Sequence, residues 1–156
     1  MTYKTLAEIE SLVRAFEDCT LPRSCWTHQA HLTVALWYLT HFCEEQAIRY
    51  MRDRICKYNA AVGIENTINS GYHETITLFW MRIVLHHLVS KSKDYFFVDL
   101  ANNLIATYKN TELPFEYYSR NLLLSSEARI SWVRPDLKPL TYLIINEYIQ
   151  SRSSQN

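Results

Sequence analysis

The chain has 156 residues, enough for one domain with its own core and too few for two. Hydrophobic residues make up 48% and charged residues 21%, which excludes a disordered chain. Sixteen Lys and Arg balance sixteen Asp and Glu, so the basic excess expected of a nucleic-acid-binding domain is missing.

Two glycines and four prolines are far below the average usage of about 12%. So few turn-formers argue against a sandwich or barrel and for helices. Leu6, Ile9, Leu12, Val13 and Phe16 recur at helical spacing and predict a first amphipathic helix over 5–17. Leu21-Pro22-Arg23-Ser24 interrupts the pattern, and Ser24 or Thr27 is available to cap a second helix over His28–His41. A third spans Glu44–Ala61, with Ala47, Met51, Ile55 and Tyr58 on its buried stripe and Gly63 as its stop. The polar stretch Glu65–Gly71 reads as a loop. A strongly apolar fourth helix follows over Tyr72–Ser90, and a fifth over Tyr95–Tyr108. Pro114–Tyr118 is a short turn or helical piece, Ser125 caps a sixth helix reaching Val133, and Leu140–Gln150 forms the last, set off by Pro135 and Pro139.

The expectation is all-α: a single-domain helical bundle of about six to seven helices over residues 1–150, with a polar tail at 151–156. No apolar run reaches about 18 residues, and the first residues lack a charged-then-apolar leader, which predicts a soluble, cytoplasmic protein with no membrane partner. Cys19, Cys25, Cys43 and Cys56 form no C-x-x-C pair and no zinc-ribbon spacing, so they read as reduced, mostly buried thiols. Cys25 stands out because it precedes His28 by three residues.

Helical geometry turns each residue by about 100° and so places the histidines. On the second helix, His28 and His31 fall one turn apart inside the apolar arc, while Gln29, Thr33 and Thr40 collect on another side. On the fourth helix, His73 and Glu74 also face the apolar arc, and Thr75, Arg82 and His86 make a narrow outward face. A carboxylate in that arc needs a cation, a proton or a metal. His86-His87 reads as one boundary and one core residue. If helices two to four alternate up, down and up, the starts of the second and fourth lie at one end, and His28, His31, His73 and Glu74 converge.

Trp26-Thr27-His28-Gln29-Ala30-His31-Leu32 and Gly71-Tyr72-His73-Glu74-Thr75 resemble segments of a group of small helical bacterial proteins, as does Ser126-Glu127-Ala128-Arg129 with Trp132 and Pro135-Asp136-Leu137. The resemblance runs from about Phe16 to Leu140 and implies no activity.

Three imidazoles and a carboxylate suit one divalent transition metal such as Zn, Fe, Mn or Ni. This predicts a metal-dependent enzyme acting on a small molecule, by oxygen activation or hydrolysis, with His28, His31, His73 and Glu74 as ligands and His73 and Glu74 catalytic. The second histidine of a zinc-protease H-E-x-x-H motif is missing after His73-Glu74. A metal-free variant has Glu74 hold His73 as a general base, with Cys25 or water as nucleophile. The non-catalytic alternative is a small-molecule-binding or interaction protein whose His and Glu form a buried hydrogen-bond network. In either case Trp26, Tyr72 and Trp80 are candidate cavity walls, and Arg129 is a candidate for recognising an anionic group. The eleven tyrosines and four tryptophans sit at core spacings without interleaved basic clusters, so they are not read as a nucleic-acid platform.

Overall fold

Side-chain caps set most of the helix starts. The computed structural model describes residues 2–91 and 93–140. Helix α1, Leu6–Glu17, opens with Thr5 accepting from the Glu8 amide while the Glu8 carboxylate accepts from the Thr5 amide. Thr27, not Ser24, caps α2, His28–His41, and Ser24 lies in a 3-10 turn, Arg23–Cys25. Helix α3, Glu44–Ala61, ends in a left-handed Gly63: the Ile64 amide donates to the Asn59 carbonyl and the Gly63 amide to that of Ala60. Helix α4 spans Glu74–Ser90, with the His73 imidazole rather than a hydroxyl as its cap. Helix α5 is Phe97–Thr107. Three short helices follow: α6, Pro114–Tyr117; α7, Arg120–Leu123, capped by Ser119; and α8, Ser126–Ile130, capped by Ser125.

Among the described residues there are eight helices, five of them long, and no strand. Helix α7 adds to the expected set because Asp136 accepts from both the amide and the hydroxyl of Ser119, fixing its cap. The helix after Ser125 stops at Ile130 instead of reaching Val133, because the Val133 amide and the Ser131 carbonyl are taken by the Thr75 hydroxyl. The expected helix Leu140–Gln150 and tail 151–156 lie outside the described residues, apart from Leu140, which is buried.

Helix α2 is central and touches α1, α3, α4 and α5. It is buried on several sides, so Thr33 is fully covered rather than on a polar face; its hydroxyl bonds the Gln29 carbonyl and the Tyr3 hydroxyl. The main core lies among these helices, and all four stripe residues expected on α3 are buried in it. A second core joins Phe79 and Ile83 of α4 to Tyr118, Leu123 and Leu140. Helix α4 thus serves two cores. Its expected outward face is covered: Thr75 is fully buried, and Arg82 lies over the Trp132 ring.

The cysteines are unpaired but not mostly buried: Cys19 and Cys56 are half-buried, Cys25 and Cys43 exposed. Cys25 and Cys43 stand just before α2 and α3, Cys19 just after α1, and Cys56 lies on α3 outside its buried stripe. Among the described residues no helix is long and apolar enough to cross a membrane.

Gly63 and Gly71 both have positive φ, but a Cβ at Gly63 meets open space while one at Gly71 falls 2.5 Å from the Glu65 carbonyl oxygen. Gly63→Ala should therefore cost about 1–2 kcal/mol of backbone strain, and Gly71→Ala distinctly more, in urea unfolding.

Candidate functional site

The site begins with an aromatic stack. Trp26 lies between Phe16, at 4.1 Å between ring centres, and His31, at 3.8 Å. His31 Nδ1 donates to the Thr27 carbonyl at 2.7 Å, four residues back. A carbonyl only accepts, so that nitrogen carries the hydrogen and Nε2 keeps a lone pair. One turn earlier, His28 Nε2 donates to the Tyr108 carbonyl at 2.9 Å, leaving the lone pair on Nδ1, and its ring meets Trp80 edge-on at 4.5 Å. Burial pushes the His31 pKa down to about 4 and His28 adds to the shift, while the bond to Thr27 opposes it.

The start of α4 is arranged differently. His73 Nε2 donates to the Leu123 carbonyl at 2.8 Å, and its Nδ1 accepts from the Ile76 amide at 3.2 Å. Both ring nitrogens are therefore committed. Burial lowers its pKa, the bond to Leu123 opposes, and the Arg129 charge lowers it further. The adjacent Glu74 is gripped by Arg52 of α3, whose Nε and Nη2 reach its two oxygens, and it accepts from the Tyr72 hydroxyl at 2.7 Å. Burial alone would raise the Glu74 pKa, but the Arg52 and Tyr72 hydrogen bonds outweigh it and the carboxylate stays ionised below its ordinary range.

The structure brings most of the expected site together. His28, His31, His73, Trp26, Tyr72, Trp80 and Arg129 all line one cavity of about 510 Å³. Glu74 is turned into a separate open cleft of about 720 Å³ with Arg52, and Tyr72 and Arg129 border both spaces. His73 is the extended N-cap and Glu74 the first helical residue, and the Glu74 side chain turns toward Arg52 of α3. A set of His28, His31, His73 and Glu74 around one point does not form: Glu74 faces Arg52, and His73 has spent both nitrogens. Among the described residues no group of three or more His, Cys, Asp or Glu side chains is placed to hold a metal ion. Nor does Glu74 orient His73 toward Cys25, which is exposed.

Sequence reasoning missed Arg52 and Asn59. Arg52 follows Met51 on the edge of the buried stripe of α3, and the need of a buried Glu74 for a cation was the available signal. Asn59 lines the cavity, buried, and its amide donates to Asn66 Oδ1, which also accepts from the Tyr72 amide. The Tyr108 and Leu123 carbonyls are backbone groups, for which a sequence carries no signal.

No protein-family model, curated protein or solved structure matches this chain. What the cavity does therefore rests on its own residues.

His31, His73 and His87 are all held neutral by burial, so the unfolded chain binds protons that the folded one refuses. Their stabilising share is complete above the unfolded value of 6.5 and is lost as pH falls toward 4, the folded value of His31. Glu74, with its pKa lowered, adds a further loss below its ordinary 4.5. Urea midpoints should be flat between pH 7 and about 8 and fall from 6.5 downward, and His31→Gln should flatten the upper part of that fall. An unchanged midpoint between pH 7 and pH 5 would contradict the buried neutral imidazoles.

Proposed function

We propose that this protein binds a small organic molecule in the cavity between α2, α3 and the start of α4. The observation that carries this is the 510 Å³ cavity itself, of a size that encloses drug-sized ligands, walled by Trp26, Tyr72 and Trp80 and bordered by His28 and His31. Each of these two imidazoles is pinned to one tautomer by a backbone carbonyl, so its remaining nitrogen is an acceptor for a ligand N–H or O–H. Aromatic walls with a few fixed polar groups give both desolvation and orientation. In this reading His73 and Glu74 belong to the frame: they hold the start of α4 in place as a buried hydrogen-bond network.

A second reading, a metal-dependent enzyme acting on a small molecule by oxygen activation or hydrolysis, is favoured by one observation. His28 and His31 each donate a ring N–H to a backbone carbonyl, the arrangement that orients metal-binding histidines. Zn, Fe, Mn or Ni held by these two nitrogens would keep open positions for water and substrate. Near-stoichiometric metal in untagged protein, lost on replacing both histidines by Ala, supports this reading. Metal-free protein whose melting point ignores all four added ions discards it.

The binding reading is tested by screening small aromatic compounds for tryptophan quenching and a raised melting point. A compound at a hundred times its Kd should stabilise by about 2.7 kcal/mol. The same compounds should lose quenching and stabilisation in Trp80→Ala and in the cavity-filling Ala35→Leu, since both residues line the cavity. Compounds that bind all three proteins alike would place binding elsewhere.

A further inference from the structure

Arg129 sits one residue before the end of α8 and crosses to the loop before α4, where its Nη1 donates to the carbonyls of Gly71 at 3.0 Å and Tyr72 at 3.3 Å. These are dipoles, not counter-charges. The ion pairs among the described residues are Arg52 with Glu74 and Arg54 with Glu17, and neither compensates Arg129. Arg129 is half-buried and borders both the inner cavity and the outer cleft. Drawing a cation partly out of water without a counterion is unfavourable, and a bound anion removes that cost.

The remaining donors have a definite shape. With Nη1 engaged, Nε and Nη2 present two parallel N–H groups on one edge, the fork that matches the two oxygens of a carboxylate. The protein already contains this pair in filled form: the same two atoms of Arg52 reach the two oxygens of Glu74. At Arg129 no protein carboxylate takes that place among the described residues.

We infer that the ligand of the inner cavity is a flat, unsaturated monocarboxylate, with its carboxylate on the Nε–Nη2 edge of Arg129 and its ring among Trp26, Trp80 and the two imidazoles. This rests on the cavity reading above and adds the ligand's charge and shape. One uncompensated cation matches one negative charge. A phosphate monoester carries about −1.5 to −2, and the surplus would find no second cation there, since Arg52 is already committed to Glu74. The flat body follows from the aromatic walls, and ring N–H or O–H groups meet the lone pairs of His28 and His31.

The test uses the full chain and matched compounds by calorimetry: naphthoate with naphthamide, indole carboxylate with its primary amide, and naphthyl phosphate. The wild type should bind each acid at least about tenfold more tightly than its amide, and naphthoate more tightly than naphthyl phosphate. Arg129→Gln should bind acid and amide alike. Arg129→Lys keeps the charge without the fork and should retain only part of the preference, which also serves if Arg129→Gln does not fold. Equal binding of acids and amides by the wild type, or a full preference surviving in either variant, overturns the carboxylate inference and leaves the cavity reading standing. Tighter binding of the phosphate overturns the single negative charge. If neither acids nor amides bind at millimolar concentration, the cavity reading falls and this inference falls with it.

Discussion

The cavity exists because the first turn of α4 is tied down in three directions by three consecutive buried side chains. His73 caps the helix with one nitrogen and holds the Leu123 carbonyl of α7 with the other. Glu74 reaches sideways to Arg52 on α3. Thr75 holds the chain after α8 by accepting from the Val133 amide and donating to the Ser131 carbonyl. Each of these groups would be costly to bury alone, and all three are satisfied together only when every neighbour is in position. The network therefore selects one arrangement of α3, α4 and the short helices, and the space left between α2 and that frame is the cavity.

Within this frame the imidazoles divide into two kinds. His73 has no nitrogen left for a ligand and acts as a structural joint. His28 and His31 each spend one nitrogen on a backbone carbonyl and keep the other, so the same packing that immobilises the rings also fixes which atom is an acceptor. Burial keeps His31 uncharged at neutral pH, so it offers a lone pair without placing a second cation beside Arg129. Glu74 and Arg52 cancel one another, which leaves the Arg129 guanidinium as the permanent charge bordering the cavity.

Much of this was legible in the sequence, and the residues show why. The apolar spacing of Ala47, Met51, Ile55 and Tyr58 placed α3 and its buried face, because a helix repeats every 3.6 residues whatever it packs against. The same periodicity put His28 and His31 on the face that turned out to line the cavity, and capping chemistry marked Ser125. It failed at Thr33 and Thr75, where a polar side chain was taken as a sign of an outer face. The Thr33 hydroxyl bonds the Gln29 carbonyl of its own helix and the remote Tyr3 hydroxyl, and Thr75 bonds the remote Ser131 and Val133, so their burial cannot be seen without knowing what packs over them.

Local periodicity, capping and composition thus determined by themselves that the chain is helical, where the long helices run, and which aromatic and imidazole side chains face inward. These properties depend on neighbours within a few residues. Only the tertiary structure decided that His73 is a joint, that Glu74 belongs to Arg52 and that Arg129 is left with an open fork. Each of these depends on a partner twenty to sixty positions away, such as the carbonyl of Leu123 or the guanidinium of Arg52. A side chain's lone pairs and charge are assigned by whatever the fold brings within about 3 Å of them, and spacing along the chain does not encode that.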